Sequence, residues 1–249
     1  MSRKGLWLGF GVFLGGAMLG AAVLQLREAS ARSAEATVLL AAESYVRALE
    51  AVRSTYTAEV VNRLPPSVLV THDYARYDHA VPLPATFTMA LAVELGTAID
   101  GFSVRLFSRY PFPFRAPSGL DEFERLALDS LERSPAAVVS VVEGSGSDRV
   151  LRYARGDIMR LECVGCHNSH ADSPKKDWSV GDLRGVLEVS VRMASFDQRA
   201  RDAQRPYVAL LILALLGLMG AGVMLMQYQL DHLSKGRVPN HTRRPEPGD

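Results

Sequence analysis

Cys163 and Cys166 are the two cysteines of the chain, and His167 directly follows the second. Cys-x-x-Cys-His is the spacing of covalent c-type haem attachment. On a helical turn, positions three apart share a face, so both thiols can reach the two vinyl groups along one haem edge. His167 is then placed to rise over the iron as proximal ligand. Three other chemistries use the same residue types. A zinc ion could take both thiolates, but His167 and His170 follow too closely to complete a tetrahedron, so zinc would have to recruit His72 or His79. A thioredoxin-like dithiol belongs near the start of a βαβ pattern, whereas this pair comes late in a chain without one. A plain structural disulfide is the remaining reading.

A sixth iron ligand would have to come from elsewhere in the chain. His170 is tethered to the side of the proximal ligand, whereas His72 and His79 are distant in sequence and lie on a polar loop. We therefore take His72 as the candidate sixth ligand, with His79, Met159 and Met89 as alternatives and an open position as another. Haem propionates need cationic or hydroxyl partners, for which Arg109, Tyr110, Arg115, Lys175 and Lys176 are available; each could equally be a solvated surface residue.

The elements that must position these residues are bounded by length and composition. At 249 residues, with two apolar runs long enough to cross a bilayer, the chain leaves room for one soluble domain. A net charge of +1 supplies neither the basic stripe that phosphate backbones require nor an acidic excess, so no nucleic-acid partner is expected. No Ser-His-Asp or paired-carboxylate constellation stands out, and the expectation is a binding protein, not an enzyme.

The first run, Gly5 to Leu26, reads as an uncleaved transmembrane anchor (residues 1–26), since it exceeds the usual signal-peptide core of roughly 7–15 residues. Ala29-Ser30-Ala31 keeps cleavage open. Gly11, Gly15, Gly16 and Gly20 could let a second helix approach closely, or could simply be a glycine-rich lipid face. From Arg27 to about Leu64, apolar residues at 38, 42, 45, 49, 52, 56 and 60 alternate by four and three, the seam of a long amphipathic helix. Either the seam packs on its own domain or part of it faces a second copy in a parallel homodimer.

Pro65-Pro66 stops that helix. Strands are expected at 67–71, 103–108, 136–142, 149–154 and 185–191, and helices at 84–99, 119–131 and 157–166, the last carrying the Cys-His motif. Residues 27–205 form the domain, 206–230 a second transmembrane helix, and 231–249 a basic, proline-rich tail expected to be disordered. Arg3 and Lys4 before the first span, with Lys235, Arg237, Arg243 and Arg244 after the second, place both termini in the cytoplasm by the positive-inside rule. In a bacterial inner membrane the domain is then periplasmic, where c-type haem is attached.

Four stretches, PLPATFT (82–88), LFSRYPFPFR (106–115), GLDEFERLAL (119–128) and LRYARGDIMRLECVGCHNSHADSPKKDWSVGDLRGVLEV (151–189), together resemble a known family. It comprises single-haem c-type domains of PAS-like fold, often periplasmic and ahead of HAMP and histidine-kinase modules. The resemblance implies an α+β domain, a PAS-like antiparallel sheet with flanking helices, holding one covalent haem c. The tail after Leu230 is too short for a HAMP pair or a catalytic domain, so any signal would pass to a separate protein. The expected function is a redox or small-ligand sensor acting through a signalling partner, with a membrane-anchored electron carrier as the alternative.

Overall fold

Period-two alternation along the strands divides the apolar side chains of this chain between the two faces of one sheet. The computed structural model describes residues 3–98, 101–115 and 119–235. Strands β3 (Phe102–Phe107), β4 (Val138–Glu143), β5 (Val150–Ile158) and β6 (Leu183–Arg192) form an antiparallel sheet in the order β3-β6-β5-β4. The short strands β1 (Leu69–Thr71) and β2 (Ala80–Pro82) pair in parallel beside it in sequence. The helices are α1 (Arg3–Glu59), α2 (Pro84–Ala98), α3 (Glu122–Arg133), α4 (Leu161–Ser169) and α5 (Ala194–Lys235). The chain is thus mixed α and β with an antiparallel sheet. It divides into two units, Ala31–Arg199 and the pair Met1–Ser30 with Ala200–Asp249.

In the first unit, Leu187, Val189 and Val191 of β6, with Leu151 and Tyr153 of β5, meet Val38, Ala42, Val46 and Leu49 of α1. Each fully buried Val or Leu contributes roughly 1.5–3 kcal/mol of transfer free energy, and that contribution, more than helix propensity, holds this part of α1 in place. The seam from Val38 to Leu49 is therefore occupied by the chain's own sheet. The seam fades at Val60, which is 40% exposed. α1 stops at Glu59, short of the expected Leu64, because a 3-10 turn over Val61–Arg63 already bends the chain ahead of Pro65.

The other sheet face carries α3. Phe123, Ala127, Leu128 and Leu131 pack on Phe107, Ala154 and Val186. This helix begins later than its composition predicts because Asp121 is its N-cap: the Asp121 carboxylate accepts from Glu124 N at 2.9 Å, and Glu124 Oε2 accepts from Asp121 N at 2.9 Å. α4 also starts later than expected. Asp157 and Ile158 stay in β5, where they pair with Gly185 and Leu183 of β6, so the ladder satisfies backbone groups that a helix would otherwise have claimed.

In the second unit, Gln204 Nε2 donates to Leu26 O at 2.8 Å. Of Gly11, Gly15, Gly16 and Gly20, only Gly15 has a close neighbour among the described residues: a Cβ there would lie 3.2 Å from Leu215 Cδ1. Among the described residues one helix, within Ala194–His232, is long and apolar enough to cross a membrane. The side chains of the first ten residues, and residues 236–249 with the expected basic tail, lie outside the described part.

Candidate cofactor site

α4 follows β5 after a two-residue step, and the sheet's backbone ties that step down: Met159 N donates to Asp182 O at 2.8 Å and Gly181 N to Met159 O at 2.9 Å. Cys163, Cys166 and His167 on this helix all line a cavity of about 900 Å³. That lies toward the upper end of the roughly 300–1,000 Å³ usual for small-molecule and cofactor sites. Its walls come from α1 (Arg53, Ser54), α2 (Met89), the ends of β3 and β5, and the segment 108–115. Both thiols are free, and burial raises both above the ordinary cysteine value. A dithiol redox pair relies on the opposite shift, toward thiolate. Among the described residues no three His, Cys, Asp or Glu side chains gather as a metal ion would require, and neither His72 nor His79, which a zinc site would have needed, lines the cavity.

Arg184, at the start of β6, organises the floor. Its Nε donates to His167 Nδ1 at 3.2 Å and its Nη1 to Ser108 Oγ at 2.8 Å. The guanidinium also lies 5.5 Å from the Phe112 ring and 5.4 Å from the Trp178 ring. Trp178 is held by its own backbone: Asn168 donates to Trp178 O at 3.0 Å and accepts from Trp178 N at 2.9 Å, closing the polar segment after α4. Phe112 stacks on Phe114 at 5.2 Å and sits 5.5 Å from His167 and 5.3 Å from His170.

Six arginines line the cavity, and three of them are neutralised locally. Arg53 pairs with Asp157, Arg105 with Glu124 at 2.8 Å, and Arg109 with both Asp129 and Glu132. Arg115 and Arg184 differ. Neither is bonded to a carboxylate among the described residues; burial lowers the pKa of each and neighbouring arginines add to it, while on Arg184 the charge of Asp157, itself bonded to Arg53, works in the opposite direction.

The expected site residues separate accordingly. Cys163, Cys166, His167, Arg109, Arg115, Met159 and Met89 line one cavity, as does His170. Arg109 is there with its guanidinium engaged by α3. His72 is stacked flat on Phe114 at 4.0 Å and is exposed, and His79 is also exposed, so neither reaches the cavity wall. Tyr110 packs edge-on against Trp178 at 5.6 Å, outside the lining. Lys175 binds Asp177 Oδ1 at 2.8 Å and covers Trp178, and Lys176 is exposed. Sequence reasoning missed Arg184, Ser108 and Phe112. A signal was present: an arginine at the head of the apolar run Gly185 to Val191 marks a charged group where a buried strand begins.

His167 has a pKa lowered from 6.5 to about 4, by burial first and by the charge of Arg184 second. In the unfolded chain the imidazole takes its proton near 6.5, whereas the folded site resists it until about 4. Acid therefore favours the unfolded chain through that window: the stability is fully present above pH 6.5 and is lost as the pH falls toward 4. In the chain produced without any bound group, urea midpoints should fall between pH 7 and pH 5, and His167→Gln should flatten that part of the profile.

The crystal structure of the cyanobacterial haem-protein Tll0287 is similar to this chain at 19% identity and a TM-score of 0.42, over 60% of this chain and 91% of that one. Among curated proteins, no sequence matches. A family model described as Tll0287-like matches residues 31–192, the stretch that holds the whole sheet, α4 and the cavity, and the chain therefore belongs to the Tll0287-like family.

Proposed function

We propose that this chain carries one haem c, bonded through the sulfurs of Cys163 and Cys166 with His167 as proximal ligand. Its membrane-anchored periplasmic domain senses redox state or a small ligand and signals through a separate partner. The observation that carries the reading is the convergence of Cys163, Cys166 and His167 on one wall of a cavity large enough for a cofactor. Membership of a family named for a protein described as a haem-protein supports it. A sheet with helices on both faces agrees with a PAS-like arrangement.

The residues fit the group. Two thiols three positions apart face the same space, Phe112 and Phe114 offer a flat apolar wall, and Arg115 and Arg184 bring positive charge with no carboxylate bonded to either among the described residues. Haem bound there supplies one-electron redox chemistry and an axial position. The protein's part is to anchor, orient and exclude water. The thiols fix one edge, and His167, kept neutral by burial, has a lone pair to offer at neutral pH. β6 begins at the cavity and is followed after Met193 by α5, the candidate membrane helix, which gives a direct covalent route from site to membrane.

The carrier reading keeps one specific observation in its favour. Met89 and Met159 bring thioethers to the same cavity, and a permanent sixth protein ligand suits electron transfer. If the domain senses a small ligand at the iron, the reduced holoprotein binds CO without any substitution. On the carrier reading, it stays six-coordinate and binds CO only after Met159→Ala or Met89→Ala. His72→Ala should change little, since Phe114 lies against that ring.

Anchoring has its own measurement. Reporters fused after Asp249 should be active only as cytoplasmic fusions, and protease added to spheroplasts should cut between the two apolar runs. A periplasmic C-terminus would sink the two-pass topology.

A further inference from the structure

His167 and Arg184 cannot keep their present hydrogen bond once the imidazole ligates a metal. Arg184 Nε donates to His167 Nδ1 at 3.2 Å, so that nitrogen carries the lone pair and a neutral ring holds its proton on Nε2. If Nε2 becomes the ligand, the proton must sit on Nδ1, where it would face a guanidinium that has donors and no acceptor. If Nδ1 becomes the ligand, its lone pair is no longer available to Arg184. Either way Arg184 must change partner. Ser108 Oγ, at 2.8 Å from Nη1, is a neutral group and cannot balance the charge released.

Arg115 lies on the same cavity with no carboxylate bonded to it among the described residues, and the two guanidinium groups are close enough to repel one another. The remaining cations of the lining are engaged by acidic partners, except Arg160, which is exposed at the rim. Asp157, the acidic group whose charge acts on Arg184, is already engaged by Arg53, so two half-buried cations with no carboxylate bonded to either make an incomplete site, and what completes it is an anion.

We propose that Arg184 and Arg115 form an anion seat for the carboxylates of a planar tetrapyrrole, and that Arg184 transfers from His167 to that carboxylate when the imidazole takes up its metal. The proposal deepens the haem reading by assigning the propionate end of the pocket. It places that end at Arg184 and Arg115, not at Tyr110 or Lys175. It gives the coupling a material form as well, since loss of the metal–His167 bond would return Arg184, and with it the start of β6, to its bond with His167.

The test uses the full chain in detergent, produced without c-type maturation, and compares protoporphyrin IX with its dimethyl ester by fluorescence titration. A charged hydrogen bond lost to esterification should weaken binding about ten- to hundred-fold in the wild type. Arg184→Gln and Arg115→Gln should each reduce that preference by about tenfold, with Arg184→Lys retaining part of it. No preference for the diacid, a preference surviving both glutamine variants, or binding of neither porphyrin overturns the seat. Should Arg184→Gln fail to fold, Arg184→Lys, Arg115→Gln and the wild-type comparison still decide. A crystal structure of the matured protein decides the transfer without any variant: Arg184 within hydrogen-bond distance of a propionate supports it, and Arg184 still on His167 overturns it. Diacid preference in a chain that never acquires covalent haem would leave the seat standing and remove the haem reading, so the two failures are distinguishable.

Discussion

Cys163→Ala combined with Cys166→Ala removes covalent haem completely. Co-expressed with the c-type maturation machinery, the wild-type chain should keep its haem stain through denaturing electrophoresis and give a c-type pyridine haemochrome. The double variant should give neither. Each single variant should keep one thioether, and its haemochrome should shift toward that of a ring with one unreacted vinyl group. The reason is geometric: the two sulfurs lie three residues apart on α4 and open on the same cavity, so neither can take over both attachments. His167→Ala is a separate control. It retains both thioethers while removing the neutral imidazole, so its haem stain persists and its visible spectrum changes. A colourless wild-type protein after co-expression would end the haem reading outright.

Arg152→Met should destabilise the domain by about 3–5 kcal/mol, because it leaves a buried carboxylate without its counter-charge. Glu188 is only 1% exposed on the α3 face of β6. Arg152 grips it with two bonds, Nε to Oε1 at 2.6 Å and Nη2 to Oε2 at 3.0 Å, while Ser190 Oγ donates to Oε1 at 2.8 Å. Burial alone would disfavour the guanidinium charge, but the bonds to Glu188 and Asp121 outweigh it and raise the pKa of Arg152. The same arginine reaches Asp121 Oδ2 at 2.9 Å and lies 4.4 Å over the Phe123 ring, so it joins the sheet to the cap of α3. Removing both charges by Arg152→Met with Glu188→Leu should recover most of the loss, since a buried pair contributes little beyond a well-packed apolar one. Equilibrium urea unfolding of the two single variants and the double variant measures this directly. A double variant as unstable as Arg152→Met alone would mean that packing, not charge, governs the site.

The two sets of residues differ in how much of them could be read from sequence. Local rules sufficed where an interaction runs between near neighbours. The Cys-His motif, the helix that became α3 and the strand that became β6 are all expressed within a few residues, and each was legible in type. Element boundaries moved where distant partners intervened. Asp157 and Ile158 join β5 because β6 offers them backbone partners, a fact that no local window around α4 contains. The seam of α1 was visible as a seam, yet only the sheet beneath it decides that Val38, Ala42 and Leu49 face the chain's own core.

The cavity shows the same division. The proposed attachment residues lie in a single run of five, 163–167, so their spacing can be read from the sequence alone. The cavity's second wall cannot. His72 and His79 were attractive as ligands because a loop histidine has reach, but reach is limited by what packs in between, and the Phe114 ring lies flat against His72. Arg109 and Arg184 look alike in sequence; α3 supplies Asp129 and Glu132 to the first, while β6 delivers the second to His167 with no carboxylate. Residue type and spacing thus name the atoms proposed to bond a cofactor. Long-range packing settled which charges remain unbalanced around it, because the counter-ion of a buried group is chosen by the fold and not by its neighbours along the chain.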